Sequence, residues 1–238
     1  MKSIKNKIEK KIFASDNLGK VWSIENFDQY PRLNVAKALS ELYKEGKLKR
    51  IKRGYYYCFK QTVLGDTTYD KYSLAIAKTS KKASFSCISG LSGFNRLGFT
   101  TQVPKTITIA CDYKLRNTDS IRYIFRNKPV DGGEIERVVL DAIIDINKIP
   151  DTTPNSIIKH IKYLIKQGKV NLSSLVKTAL LEKPRIKAVI GAIAEEFRFN
   201  KKMLTKLKKS LNDNSMIYLD IIDSLKYFDN WKIQPKEA

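Results

Sequence analysis

Cysteine and histidine are scarce in this sequence of 238 residues, which has three cysteines and one histidine. Cys58, Cys87 and Cys111 lie far apart and form no C-x-x-C pair, so their spacing argues against a structural zinc site. A single histidine, His160, gives no basis for acid–base catalysis by histidine. We expect the cysteines to be small buried thiols of a protein in a reducing compartment.

Long apolar runs are also absent. No stretch of about 18 apolar residues occurs, and the opening residues, MKSIKNKIEKKI, are charged and lack the apolar segment of a signal peptide. We therefore expect a cytoplasmic, soluble protein with no membrane partner. The length gives room for one large or two ordinary domains with proper hydrophobic cores.

Acidic residues are few relative to basic ones. The chain has 45 Lys and Arg against 24 Asp and Glu, a formal net charge of +21. This excess favours a polyanionic partner, either DNA, RNA or an acidic membrane surface. The alternative is a lysine-rich genome that places lysine on every protein surface. Charge therefore restricts the class of partner without giving the function.

Phosphate-binding loops are not supported by the glycines. Gly90, Gly93 and Gly98 lack the G-K-[ST] ending of a P-loop and the G-x-G-x-x-G spacing of a dinucleotide fold. Small residues in this segment more simply allow a helix to lie close to a sheet. We expect no cofactor.

The acidic residues form no recognisable catalytic set. A nuclease would need a carboxylate cluster ending in E-x-K to hold Mg²⁺. The two E-x-K sequences begin at Glu9, in the first predicted helix, and at Glu45, at a helix end, so both indicate surface charge. Asp141 and Asp145, one helical turn apart, are predicted to be solvated. The sequence thus indicates neither catalytic residues nor metal ligands.

Residues 31–59 contain the most informative pattern, a helix followed by a basic β-hairpin. Pro31 suits a first helical position, and Gly46 can end the helix in a left-handed conformation. Two β-prone segments, Leu48–Ile51 and Tyr55–Phe59, then flank Arg53-Gly54. The predicted buried stripe of the helix consists of Val35, Ala36, Leu39, Leu42 and Tyr43.

A helix and basic hairpin of this kind form the second half of a winged helix-turn-helix. The preceding residues complete its inventory with a helix over 3–13, a strand at Val21-Trp22 and a short helix from Ile24 to Gln29. The alternative is an ordinary helix with an edge ribbon whose lysines prevent aggregation. The predicted DNA-binding residues are Arg32, Asn34 and Lys37 on the helix and Lys47, Lys49, Arg50, Lys52, Arg53 and Tyr55 on the hairpin.

The fold class predicted for the whole chain is α+β, with a winged helix-turn-helix over residues 1–60 and a second domain over 61–238. The second domain begins with an α/β core over about 61–130 and becomes helical over about 131–238. In the core, strands Lys105–Cys111 and Ser120–Arg126 are expected to form a hairpin around the loop YKLRNTD. Further helices are predicted at about 67–82, 89–97, 135–146, 154–168, 172–182, 185–197, 201–211 and 216–228.

Two segments together carry a family resemblance. KALSELYKEGKLKRIKRGYYYCF, followed by SGLSGFNRLGFTTQVP, resembles the AbiEi-type antitoxins of bacterial abortive-infection, type IV toxin–antitoxin systems. The first segment is shared by many winged helix regulators, whereas the second, a small-residue helix ending in leucine-glycine and a T-Q-V-P turn, is more particular. The likeness covers about residues 3–200.

The resemblance implies a function in two parts. In that family the N-terminal winged helix represses its own operon, and the C-terminal domain neutralises a nucleotidyltransferase-like toxin, generally without a stable complex. The expected partners are therefore double-stranded promoter DNA with inverted repeats and, functionally, a cognate toxin, and we expect a monomer in solution rather than an enzyme. The alternative function is a DNA-processing nuclease targeted by a winged helix.

Overall fold

The computed structural model describes residues 3–14, 17–131, 133–211, 216–219 and 221–235. These residues form a mixed α+β protein, as predicted. The chain divides into two compact units, Met1–Ser86 and Cys87–Ala238, hereafter the first unit and the second unit. The elements predicted for residues 1–60 all lie in the first unit, which continues to Ser86. None of the described helices is long and apolar enough to cross a membrane.

The first unit consists of short elements that begin and end at strong local signals. The Ser3 side chain accepts a hydrogen bond from the Asn6 N–H at the start of the first helix, and Asp70 caps the last helix in the same way. Gly46, with φ +73°, ends the central helix. The elements are α1 (Ile4–Ile12), β1 (Val21–Trp22), a 3₁₀ helix (Ile24–Phe27), α2 (Arg32–Lys44), β2 (Lys49–Lys52), β3 (Tyr55–Tyr57), β4 (Gln61–Thr62), β5 (Gly65–Asp66) and α3 (Lys71–Thr79).

The β1, β2 and β3 strands form an antiparallel sheet with β3 in the centre. Successive residues of a strand point to opposite faces, and the two faces of this sheet bury different side chains. Trp22 and Tyr56 pack in a core with residues of α1 and α2. Val21 and Tyr55 pack in a second core that includes Ala77 of α3. The sheet thus separates α2 from α3.

The buried stripe of α2 differs from the predicted one. Ala38 is buried together with Val35, Leu39 and Leu42, whereas the predicted member Tyr43 is 43% exposed. Ala36 is only partly buried. The sheet and α1 cover a narrower sector of the helix than the apolar pattern indicated.

The second unit contains a three-stranded sheet and a larger helical part. Its sheet has the order β6 (Ser86–Ser89), β7 (Ile107–Cys111) and β8 (Ile121–Phe125), and α4 (Gly90–Arg96) lies between the first two strands in the chain. The helical part follows as α5 (Glu134–Ile144), α6 (Pro154–Lys166), α7 (Leu172–Ala179), α8 (Pro184–Glu196) and α9 (Lys201–Lys209).

The predicted hairpin between β7 and β8 is wrong. The two strands are parallel, with Ile107 opposite Ile121 and Cys111 opposite Phe125. Residues 112–120 therefore carry the chain back along the full length of the strand instead of reversing it in a turn. Alternation of β-branched residues predicts that strands exist, but it does not encode their relative direction.

The predicted helix over 216–228 is also wrong. This segment forms β9 (Ile217–Tyr218) and a 3₁₀ helix (Ile222–Ser224), followed by a second 3₁₀ helix (Asp229–Trp231) and β10 (Ile233–Gln234), which pairs in parallel with β9. The segment packs on α8, where the Trp231 ring lies over Gly191 so closely that a Cβ there would approach it to 2.2 Å. Irregular backbone allows Leu219, Ile221 and Leu225 all to be buried, which one face of a helix could not achieve.

All three cysteines are free and buried, as the sequence predicted. Burial raises the pKa of each thiol. These side chains therefore act as small apolar groups of the core.

Candidate functional site

The outer face of α2 is the first part of the candidate site. Leu33, Lys37 and Lys44 lie opposite the buried stripe, and Leu33 is 83% exposed. Asn34 is also exposed and, with Lys37, lines a shallow cleft between α2 and α1. Neither of these two side chains has a partner within the described residues. The helix therefore offers an amide and two cations to a ligand.

Arg32 has an internal partner. Its Nη2 donates to Glu25 Oε1 over 3.0 Å, although the Arg32 side chain remains 73% exposed. Partial burial opposes ionisation of Glu25, but hydrogen bonds from its own backbone, Ser23 and Arg32 outweigh it and lower the pKa of Glu25. Arg32 is thus held at the start of α2 with most of its surface accessible.

The basic hairpin does not present its cations on one face. A bulge between Arg50 and Lys52 places Arg50 opposite Tyr56 and Lys52 opposite Tyr55. Because Tyr55 and Tyr56 are consecutive, Arg50 faces the side of the sheet that α2 covers, and Lys52 faces the side of α3. Arg53 lies at the turn, beside Gly54 with φ +83°.

Two other predicted cations are already paired. Lys47 Nζ lies 2.6 Å from Glu9 and 3.2 Å from Glu45, and Lys49 forms an ion pair with Asp66. Hydrogen bonds to these carboxylates raise the pKa of both lysines. Arg50 and Arg53, in contrast, form no ion pair within the described residues. The predicted set thus divides into free and internally neutralised members.

Tyr55 is placed differently from the rest of the predicted set. It is only 4% exposed and belongs to the core on the α3 side of the sheet. Lys52 Nζ and Lys81 Nζ lie 5.0 and 4.9 Å from the centre of its ring. Tyr55 therefore supports the hairpin and positions Lys52. It does not offer its ring to a ligand.

Exposed apolar residues were missed by the sequence reasoning. Leu33 projects from α2, and Val63 and Leu64 are fully exposed at the tip of the β4–β5 hairpin. Two sequence features could have predicted their exposure. Leu33 lies off the apolar stripe of the helix, and Val63-Leu64 lies between two short polar segments. Isolated exposed apolar side chains are common on protein surfaces, so these three do not by themselves indicate a partner.

A second, buried cluster of charges lies in the second unit, and it corrects the prediction that Asp141 is solvated. Asp141 is 0% exposed. Its Oδ1 accepts hydrogen bonds from Arg137 Nη2 over 3.0 Å and Arg126 Nε over 2.6 Å, and its Oδ2 accepts one from Ser89. Arg137, also 0% exposed, reaches Glu182 over 2.5 Å. These residues form a neutral internal network rather than a solvated surface.

The segment SGLSGFNRLGFTTQVP is held in place by long-range contacts. Thr101 Oγ1 and Gln102 Nε2 lie 3.0 and 3.3 Å from the carboxylate of Asp151. The lone histidine, His160, contacts the Leu97 carbonyl at 2.7 Å and packs edge-on against Phe99. Both the T-Q-V-P turn and His160 therefore have structural partners.

Acidic side chains do not cluster in the described residues, which include no group of three or more His, Cys, Asp or Glu able to hold a metal ion. The acids of the two E-x-K sequences, Glu9 and Glu45, are paired with Lys47 and with Lys5. These lysines belong to the first unit. Glu9 and Glu45 themselves lie on or beside helices.

Comparisons with known proteins identify a family but no activity. No curated protein matches the sequence. Among solved structures, the chain is similar to the RV2827C protein from Mycobacterium tuberculosis, with 12% identity over 83% of this chain and 78% of that chain and a TM-score of 0.44. Residues 7–172 match the DUF6088 family. The protein therefore belongs to DUF6088, a family of unknown function.

Proposed function

We propose that this protein is the antitoxin of a type IV, abortive-infection toxin–antitoxin system and represses its own operon by binding promoter DNA. The first unit supplies a winged helix-turn-helix that binds DNA. The second unit supplies the neutralising activity. The DNA-binding half rests on the geometry of the first unit, and the antitoxin half on the resemblance of the two sequence segments to AbiEi-type antitoxins.

The order of elements supports the winged helix assignment. A helix, a short strand and a short 3₁₀ helix precede α2, and the β2–β3 hairpin follows it directly. The β1 strand pairs with the second strand of that hairpin, so the sheet order is β1-β3-β2. This arrangement exposes one helix face and one hairpin, as a winged helix-turn-helix requires for its recognition helix and wing.

The observation that carries the DNA-binding proposal is the distribution of free cations. Residues 1–86 contain 19 Lys and Arg but only 8 Asp and Glu. Most of the described acids of this unit already form ion pairs. Glu9, Glu25, Glu45 and Asp66 pair with cations of the same unit. Lys37, Arg50 and Arg53 form no ion pair in the part of the chain that the structure describes, and unpaired cations of this kind favour a phosphate backbone.

In the proposed complex, α2 lies in the major groove. Asn34 and Arg32 can each make bidentate contacts with purine edges. Lys37, Arg50 and Arg53 neutralise phosphates. Lys47, Lys49 and Lys52 contribute less, because the first two have internal partners and the third faces α3, and Tyr55 makes no direct contact.

Selection of binding sites from random duplex DNA tests the groove contact. The wild-type chain should enrich an inverted repeat, and Asn34→Ala should relax the preference at one position by about 1–3 kcal/mol while lowering overall affinity less. Gln167→Ala, an exposed amide of the second unit, is the matched control and should select the wild-type sequence. If Asn34→Ala selects the same sequence as the wild type, Asn34 does not read bases.

Cell survival tests the antitoxin activity. The full-length Lys37→Gln/Arg50→Gln variant should lose repression of a promoter reporter but still protect cells that express the toxin encoded beside it. Toxin and antitoxin are expressed from separate promoters, because no stable complex is expected. Loss of protection by this variant, when it accumulates to the wild-type level, would show that neutralisation depends on DNA binding and that the proposed division of labour is wrong.

A further inference from the structure

A cleft of about 650 Å³ opens inside the second unit, and all its lining residues belong to that unit. One wall is the face of the β7–β8 sheet that carries Thr108, Arg122 and Ile124. The opposite wall consists of α4 and the segment that follows α5 up to Pro150. The volume lies within the range of sites that bind small molecules.

The cleft is rich in cations. Arg122, Arg126 and Lys148 line it, and Asp145 is the one acid among the lining residues. Arg122 forms no ion pair within the described residues. Lys148 is 81% exposed and reaches Asp145 only over 4.0 Å, a contact too long to neutralise it. The lining therefore has an uncompensated positive charge.

The position of Arg126 is fixed from behind. Its Nε donates to Asp141 over 2.6 Å and its Nη1 to the Phe125 carbonyl over 2.9 Å. Asp141 is in turn held by Arg137 and Ser89 inside the protein. A guanidinium held in this way loses little conformational freedom on binding an anion, and its Nη2, which has no hydrogen-bond partner among the described residues, remains available to a phosphate.

Most of the remaining lining is apolar. Leu91 and Phe94 of α4, Ile124 of β8 and the pair Ile149-Pro150 complete the walls. A ligand that fits both parts has an anionic group at one end and a flat, weakly polar body at the other. Inorganic phosphate would satisfy only the cations.

We infer that this cleft is a binding site for a nucleoside phosphate. The phosphate lies between Arg122, Arg126 and Lys148, and the base lies against the apolar wall formed by α4 and Ile149-Pro150. Arg122 and Lys148 supply the binding charge, and Arg126 positions the phosphate. The site gives the second unit a ligand of its own, independent of DNA binding by the first unit.

Saturation-transfer difference NMR on the full-length chain tests the inference, with AMP as the probe at about 0.15 M salt. Base protons of AMP should receive saturation from the apolar wall, whereas adenosine should bind at least about tenfold more weakly because it lacks the charge. Equal binding of adenosine and AMP would overturn the assignment of the phosphate. Absence of transfer to AMP would overturn the site.

Matched variants distinguish AMP binding in this cleft from non-specific attraction of AMP to a basic protein. Arg122→Gln/Lys148→Gln should weaken AMP binding by about tenfold or more. Lys159→Gln/Arg185→Gln removes the same charge from exposed positions of the same unit and should change binding less than twofold. Equal weakening by both pairs, or weakening by Lys37→Gln/Arg50→Gln instead, contradicts the inference. Should the first pair fail to fold, Lys148→Gln alone, at an exposed position, gives the same readout.

A DNA titration keeps the outcomes apart. The Arg122→Gln/Lys148→Gln variant should bind selected DNA as the wild type does, because its substitutions lie in the second unit. If AMP binds but DNA does not, the proposed DNA-binding function fails and the cleft stands. If DNA binds but AMP does not, the nucleoside phosphate site fails and the proposed DNA-binding function stands.

Discussion

The two units use charged side chains in opposite ways. In the first unit, the ion pairs of Lys5 with Glu45 and of Lys47 with Glu9 lie at the surface, with 28% to 45% of each side chain exposed. In the second unit, Arg137 and Asp141 are buried together, at 0% and 1% side-chain exposure. The residue types are similar, but water solvates one set and is excluded from the other. Exposure therefore decides how much such a pair matters to stability. An exposed pair contributes little, whereas breaking a buried pair is strongly destabilising.

The largest effect is expected at Asp141. Asp141→Ala leaves the buried Arg137 without one of its two carboxylates, and breaking a buried ion pair in this way costs about 3–5 kcal/mol of unfolding free energy. The Nε of Arg137 already lacks a partner within the described residues, so the variant leaves a second nitrogen of this buried guanidinium, Nη2, without its acceptor. The measurement is urea unfolding followed by Trp231 fluorescence in a Trp22→Phe background, where Trp231 reports on the second unit alone.

Asp145→Ala is the control for this prediction. Asp145 lies one turn further along the chain, with 33% of its side chain exposed and Lys148 4.0 Å away. Its removal should change the unfolding free energy by less than about 1 kcal/mol. Equal losses for the two variants would mean that Asp141 is not part of a buried network.

Substitutions of glycine by alanine compare the stability of the two units without changing any charged side chain. Gly191→Ala places a Cβ 2.2 Å from the Trp231 ring, so the ring or α8 must move. We expect a loss of about 2 kcal/mol, because overpacking costs about 1–3 kcal/mol and exceeds the gain in helix propensity. A shift in Trp231 emission should accompany it, and Trp231→Leu in the same chain should recover part of the loss by restoring room.

Gly46→Ala is the counterpart in the first unit. Nothing lies within 4 Å of the added Cβ, but φ is +73°. The expected loss is about 1 kcal/mol, from backbone strain alone. Thermal unfolding monitored by Trp22 fluorescence in a Trp231→Phe background measures it, and a loss larger than that of Gly191→Ala would reverse the proposed difference between the units.

The smallest effects concern single surface cations. Lys37→Gln should reduce the slope of log K against log salt for DNA binding by about 0.9, because a free lysine that contacts a phosphate releases one counterion. Lys47→Gln should reduce it less, since Glu9 and Glu45 already neutralise this lysine. The measurement is fluorescence anisotropy of labelled duplex over a salt series. Identical slopes for the two variants would show that the internal pairing of Lys47 does not persist in the complex.

The predicted DNA-binding residues show which properties local sequence patterns can predict and which they cannot. Their exposure on α2 and at the Arg53-Gly54 turn follows from helical periodicity and turn chemistry, and the structure exposes Asn34 and Lys37 accordingly. The opposite directions of Arg50 and Lys52 depend on a bulge in the pairing of β2 with β3. The pairing of Lys47 and Lys49 depends on acids distant in the chain. Neither is encoded in the local pattern of charges.

Local physical chemistry accounts for the elements that could be predicted from the sequence. Thr153-Pro154 begins α6, glycines with positive φ follow α2 and α6, and the strand Ile107–Cys111 is β-branched, because caps, backbone freedom and side-chain shape act within a few residues. Long-range packing set the parallel direction of β8, the irregular path after Met216 and the burial of Asp141. Each of these depends on a partner far along the chain, and Asp141 became a core residue because Arg126 and Arg137 supply the charge that its burial requires.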